Sequence, residues 1–178
     1  VIPENAIVTN GAGNFAIWPN KFLKFGPKGR LLAPQSGAMG YGVPAAIAAK
    51  LHDPSRFVLC FAGDGDFQMN GNELGSAMQA GLPLIILIVN NGTYGTIRMH
   101  QERHYPERVS CTELVNPDFV TLAKAYGFYG ERVEKTEDFA AAFARACESE
   151  TGAVLDLVVV TEAITPRQSI NDLRKTSM

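Results

Sequence analysis

Four short runs of almost unbroken apolar residues constrain this chain more than any other feature. They lie at 6–9, 57–61, 84–89 and 154–160. Apolar and polar residues do not alternate along them, so each is expected to be buried on both faces, as strands of a parallel sheet are. Weaker strand signals lie at 30–33 and 128–133. Helical patterns fill the gaps. Residues 43–51 are Ala-rich and stop before Asp53-Pro54. A second helix is expected over 70–80, opened by Asn70-Gly71-Asn72-Glu73 as a cap followed by a carboxylate, with Leu74, Ala77, Met78 and Gly81 on one face. Asn116-Pro117-Asp118 reads as a helix start with Asn as cap and Pro in the first helical position, ahead of Phe119, Leu122, Ala123 and Tyr126 at helical spacing. Thr136-Glu137-Asp138 opens another helix to about Ser149, and residues 163–178 read as a polar tail. The expected fold is α/β: a single domain over 1–178, three-layer αβα with a mostly parallel central sheet.

Composition removes several classes of function. Sixteen Lys+Arg against eighteen Asp+Glu give a net charge of −2 over 178 residues, with no basic block longer than a pair, so no nucleic-acid partner is expected. The longest strongly apolar run, 82–89, is eight residues and contains Pro83, too short to span a membrane. Three widely spaced cysteines without a C-x-x-C argue against a disulfide framework and for a reducing compartment, so the expected location is cytoplasmic. The chain begins Val-Ile-Pro-Glu-Asn, with neither an initiator Met nor a signal peptide, which suggests a piece of something longer.

In an open parallel sheet, ligands bind beyond the carboxyl ends of the strands. Three glycine-bearing loops fall there. Gly11-Ala12-Gly13-Asn14-Phe15-Ala16 matches a dinucleotide fingerprint, but no acid stands between Glu4 and Asp53 to hold a ribose, and Pro19 interrupts the helix that should follow. The plainer reading is a tight strand-to-helix turn. The alternative is a non-catalytic nucleotide-binding module. Gly63-Asp64-Gly65-Asp66 leaves a buried strand close to a helix, where glycines let backbone amides approach an anion. Asn90-Asn91-Gly92-Thr93-Tyr94-Gly95 follows the most apolar strand. Asp64 offers one carboxylate, Asn91 a neutral side-chain oxygen, and a nearby carbonyl a third. An oxygen-only set with one carboxylate suits Mg²⁺ rather than Zn²⁺ and leaves positions open for phosphates.

Gly-Asp-Gly, twenty-four residues, then Asn-Asn resembles the motif shared by thiamine diphosphate-dependent enzymes. The segment Ser36-Gly37-Ala38-Met39-Gly40-Tyr41-Gly42-Val43-Pro44 resembles the one that precedes this motif in acetolactate synthases and related 2-oxoacid decarboxylases, and Met39 lies twenty-five residues before Asp64. The resemblance covers nearly the whole chain and is to the family's C-terminal diphosphate-binding domain. It implies Mg²⁺ bound by Asp64, Asn91 and the Thr93 carbonyl. It implies thiamine diphosphate held around Gly63, Tyr94 and Gly95, with the amides of Gly65 and Asp66 facing the diphosphate. Met39 would be an apolar wedge between the cofactor's rings, and the Gly37 carbonyl would accept from its exocyclic amine. The wedge brings that amine close to the thiazolium carbon, so an internal base can act there. The implied activity is decarboxylation or carboligation of a small 2-oxoacid, as a transferase or lyase. The Asn90–Gly95 loop also resembles that of benzoylformate decarboxylase, an alternative reading. No catalytic residue is assigned within the chain: the activating Glu belongs to a separate pyrimidine-binding domain, usually on a partner subunit. A homodimer or tetramer is therefore implied, and an isolated fragment should be inactive. Some relatives also carry an FAD-binding middle domain.

Three positions depart from the family pattern. Asp66 stands where many relatives have a small residue, Ile97 where pyruvate decarboxylase-like members have Glu, and His100 where biosynthetic acetolactate synthases commonly have Trp. Ile97 and His100 are candidates for the substrate pocket. His100 and His104 share a helical spacing but have no evident third zinc ligand. Arg98, Arg103 and Arg108 read mainly as a solvated face. Cys60 and the pair Phe139 and Phe143 read as core packing.

Overall fold

A computed structural model describes residues 2–176. Among these residues six strands form: β1 Ile7–Asn10, β2 Arg30–Leu32, β3 Val58–Gly63, β4 Ile85–Asn90, β5 Tyr129–Val133 and β6 Ala153–Val158. They make one sheet in the order β2-β1-β3-β4-β6-β5, with every neighbouring pair parallel. β6 ends before the expected Val160. Its last partner is Asn90, the final residue of β4, so the ladder runs out there and Val160 is 69% exposed.

The helices are α1 Ile17–Phe22, α2 Gly42–His52, α3 Asp64–Asn70, α4 Leu74–Gln79, α5 Gly95–His104, α6 Phe119–Ala125, α7 Phe139–Glu148 and α8 Ile170–Thr176. Cys60, Ile86 and Val154, opposite one another in register, join one buried cluster with α2, α3, α4 and α6. Leu59, Ile85, Leu87 and Leu155 point to the other face and pack on Ala142, Phe143 and Ala146 of α7. Helices on both faces of the sheet make the three layers. The continuous apolar strands are explained by this two-sided burial, which stabilises by roughly 1.5–3 kcal/mol per fully buried Ile or Leu. Phe67 and Phe119 meet edge to face at 5.5 Å, locking α3 against α6. Cys60 is buried and its thiol is pushed up to about 12 by that burial, while Phe139 and Phe143 stack within α7.

Four local expectations are corrected. The helix expected over 70–80 starts earlier, with α3 leaving β3 directly at Asp64 and a 3₁₀ turn over Gly71–Glu73 leading into α4. Asn70 therefore needs no capping role, and its amide donates to the Gly40 carbonyl at 2.9 Å. The cap of α6 is Asp118, whose Oδ1 accepts from the amides of Val120 and Thr121, and Asn116 is drawn elsewhere. Pro19 sits within the first turn of α1, where its missing N–H has no intrahelical partner to lose, so it does not interrupt that helix. The polar tail contains a helix that was not expected: Ser169 and Asp172 exchange hydrogen bonds as a reciprocal cap for α8. Its Ile170 and Leu173 join Ile164 and Met99 in a third small apolar cluster. Among the described residues no helix is long and apolar enough to cross a membrane.

Candidate functional site

The sheet order reverses between β1 and β3, and the carboxyl ends of β1, β3, β4 and β6 border a cavity of about 790 Å³. Asp64, Asn91 and Thr93 all line it, as do Gly37, Met39, Gly63, Gly65, Asp66, Tyr94, Gly95 and Ile97. Parallel pairing of β3 with β4, with Gly63 opposite Val89, delivers the two polar loops to the same edge.

Asp64, the first residue of α3, is 2% exposed. Its Oδ2 accepts from the Gly92 amide at 2.9 Å and from Asn116 Nδ2 at 2.7 Å. Gly92 has φ +67°, a left-handed turn that favours glycine and aims this amide at the carboxylate. Asp64 and Asn91 are thus joined across the two loops by the peptide next to Asn91. Burial raises the Asp64 carboxyl above its ordinary 3.8, against the pull of these hydrogen bonds.

Asn91 Oδ1 accepts from the Thr93 amide at 3.2 Å. Thr93 also forms an antiparallel bridge with Glu113, flanked by the bonds Tyr94 N to Thr112 O and Leu114 N to Gly92 O. In that register the backbone N–H and C=O of Thr93 point away from the 112–114 segment. The Thr93 hydroxyl is used internally, donating to the Thr112 carbonyl at 2.7 Å.

Asp66 is 4% exposed, and burial pushes its carboxyl up to about 6. Its Oδ1 accepts from the Gly40 amide at 2.8 Å and the Ala12 amide at 3.2 Å, so its charge is directed at the Gly11 loop and the Met39-Gly40 turn. Gly40, at φ +87°, is held from both sides: its N–H by Asp66 and its carbonyl by Asn70, one helical turn further along α3. A Cβ at Gly40 would lie 2.7 Å from Asn70 Nδ2. Met39, next to this pinned peptide, remains 39% exposed at the cavity wall. The Tyr94 ring covers Gly65, where a Cβ would come within 2.5 Å of its Cε1.

Other candidates fall outside the cavity. His100 is exposed and stacks parallel to His104 at 6.4 Å, and neither lines the wall. Among the described residues no three His, Cys, Asp or Glu cluster to hold a metal. Arg98 is paired with Glu102.

Comparison with known proteins gives the family. Residues 11–157 match the family described as thiamine pyrophosphate enzyme, C-terminal TPP binding domain. The chain belongs to that family. Among its relatives is the acetolactate synthase large subunit of Parasynechococcus marenigrum, 38% identical over 160 residues, which are 89% of this chain and 26% of the relative. The mitochondrial acetolactate synthase catalytic subunit of Saccharomyces cerevisiae is 37% identical over 88% of this chain and 23% of its own length. Acetolactate synthase isozyme 2 large subunit of Escherichia coli is 35% identical over 79% and 26%. The chain spans about a quarter of the length of these relatives.

Within this TPP-enzyme domain, the sequence reading missed a chain of polar groups behind Asp64, buried at Asn90 and Asp156 and reaching the surface at Arg132. Asn116 Nδ2 also donates to Asn90 Oδ1 at 3.0 Å, Asn90 Nδ2 to Asp156 Oδ1 at 2.9 Å, and Arg132 Nε to Asp156 Oδ2 at 2.8 Å. One signal was present: Asp156 is a lone carboxylate in the otherwise apolar strand Ala-Val-Leu-Asp-Leu-Val, and it is fully buried. A charge in such a place needs partners.

Proposed function

We propose that this chain is the metal- and diphosphate-holding part of a larger thiamine diphosphate-dependent 2-oxoacid decarboxylase or carboligase of the acetolactate synthase type. The observation that carries the reading is that Asp64, Asn91 and Thr93 line one cavity, with the Gly92 amide bonded to Asp64. The available donors are a carboxylate, a side-chain amide oxygen and a backbone carbonyl, with no thiolate or imidazole beside them. This set fits Mg²⁺, which also keeps positions for phosphate oxygens. Bound thiamine diphosphate supplies a thiazolium that acts as electron sink when a 2-oxoacid loses CO₂.

The residues of this chain bind and orient. Asp64, Asn91 and the Thr93 carbonyl hold the cation, and the amides of Gly65 and Asp66 face the diphosphate. The Asp66 carboxylate is turned onto Gly40 and Ala12, so its backbone serves this role without its side chain facing the ligand. Met39 presents its apolar side chain to the cavity from a rigid turn, and the Gly37 carbonyl accepts from the aminopyrimidine. Tyr94 packs the diphosphate loop, and Ile97 supplies apolar wall toward the substrate. The activating Glu is assigned to a pyrimidine-binding domain, and the working enzyme to a dimer or tetramer. On this reading the isolated 178-residue chain binds cofactor without turnover.

Titration calorimetry tests the proposal. Thiamine diphosphate should bind the chain only with Mg²⁺, and Asp64→Ala should abolish that binding. Metal-independent binding of NADH would favour the Gly11–Ala16 loop as a nucleotide module and overturn the reading.

A further inference from the structure

The geometry points to Asn116 as a positioning residue for the Asp64 carboxylate, a role that rests on the metal-holding reading above. Asn116 precedes α6 and would pass as a helix cap, but the first-turn amides of α6 are taken by Asp118. The Asn116 side-chain amide is bonded to Asp64, Asn90 and Gln68 instead. Nδ2 donates to Asp64 Oδ2 at 2.7 Å and to Asn90 Oδ1 at 3.0 Å, and Oδ1 accepts from Gln68 Nε2 at 2.9 Å. These partners also decide which way the amide is turned. Gln68 supplies a donor on one side, while Asp64 and Asn90 supply acceptors on the other, so only one orientation satisfies all three.

The chemistry of the partner matters as much as its position. A Lys or Arg in this place would neutralise Asp64 and compete with an incoming cation. A neutral amide fixes the carboxylate's rotamer and leaves its full charge available. The cation of the network lies further back, where Arg132 meets Asp156 at 2.8 Å and Asp156 orients Asn90. Asn116 and Gly92 bond the same oxygen of Asp64, so the other oxygen keeps a fixed direction. Outer partners of this kind are worth about 10–100-fold in metal affinity.

Asn116→Leu, Gln68→Leu and Asp64→Ala in the full chain test the assignment with two readouts. The first is hydrogen exchange of the Gly92 amide, measured without metal or cofactor. The second is the Mg²⁺ dissociation constant at saturating thiamine diphosphate. Asn116→Leu should speed Gly92 exchange while leaving Val120 and Thr121 protected, and should weaken Mg²⁺ about 10-fold. Loss of protection at Val120 and Thr121 with Gly92 unchanged would show a cap and overturn the role. Gln68 is exposed, so Gln68→Leu decides the matter if Asn116→Leu fails to fold. It should move both readouts in the same direction by less, and no change in either overturns the role. Mg²⁺-dependent binding that survives Asp64→Ala overturns the metal reading itself. Binding lost in Asp64→Ala, with both readouts unmoved in Asn116→Leu, overturns only the positioning role.

Discussion

Asp64 at the sheet edge and Glu102 inside α5 are both buried carboxylates, at 2% and 0% exposure, and their surroundings drive them in opposite directions. Asp64 is met by neutral amides alone, from Gly92 and Asn116, and desolvation raises its carboxyl. Glu102 is met by Arg174 through bonds of 2.8 and 2.7 Å, by Arg98 at 2.9 Å and by the Glu107 amide at 2.9 Å. Hydrogen bonding to Arg174 is the largest of the influences that hold its carboxyl down at about 2. The contrast separates two uses of a buried charge. Glu102 is neutralised where it stands and clamps α8 onto α5. Asp64 is oriented by neutral amides and has no cationic partner among the described residues, as the proposed metal-holding role requires.

The corner built on Glu102 also steadies the site. The segment before α8 is tied to it by Thr161 Oγ1 donating to the Asn91 carbonyl at 2.7 Å and by Asn14 Nδ2 donating to the Ile164 carbonyl at 3.1 Å. Asn14 further accepts from Thr96 Oγ1 at 3.0 Å, so the loop after β1, the start of α5 and the segment before α8 share one set of bonds around the cavity.

The largest effect should come from breaking the neutralised pair. Glu102→Gln leaves two guanidiniums facing an uncharged group and should lower stability by about 3 kcal/mol in urea denaturation, since removing one partner of a buried ion pair costs of that order. The pH response of the same group is the next test. Its folded value, about 2, lies below the ordinary 4.5, so its contribution is complete above the unfolded value and is lost as pH falls toward 2. Acid titration of stability between about pH 5 and 2 should therefore be shallower in Glu102→Gln than in the parent chain.

A smaller effect of opposite sign is expected at Asp64. Without divalent metal, Asp64→Asn removes a desolvated charge and keeps an oxygen for Gly92 and Asn116, so thermal unfolding should shift upward, not downward. A stability loss as large as that of Glu102→Gln would break the comparison. The smallest response should be at the surface, where Arg145 pairs with Glu131 at half exposure. Arg145→Ala should leave the urea midpoint within error, because exposed pairs contribute little.

Much of the frame was readable from residue order. The continuous apolar runs at 57–61 and 84–89 specified central parallel strands, because only two-sided burial tolerates them. That in turn places Asp64 and Asn91 at one edge of the sheet from residue order alone. Two of the misreadings share one cause. Asn70 and Asn116 have the local chemistry of helix caps, and local pattern alone assigns them so. Their amides are instead taken by groups far away in sequence, Gly40 thirty residues from Asn70 and Asp64 fifty-two from Asn116. The tail at 163–178 was polar in composition, yet Ile164, Ile170 and Leu173 find one another and Arg174 finds Glu102, seventy-two residues away.

Residue order by itself determined the strands, the layering and which loops meet at the carboxyl edge, since these follow from periodicity and from the obligation to bury apolar surface. Tertiary structure alone decided where each polar side chain finds its partner. A hydrogen bond is short-ranged and directional, so whether an Asn caps a helix or orients a carboxylate depends on what the fold brings within about 3 Å of it.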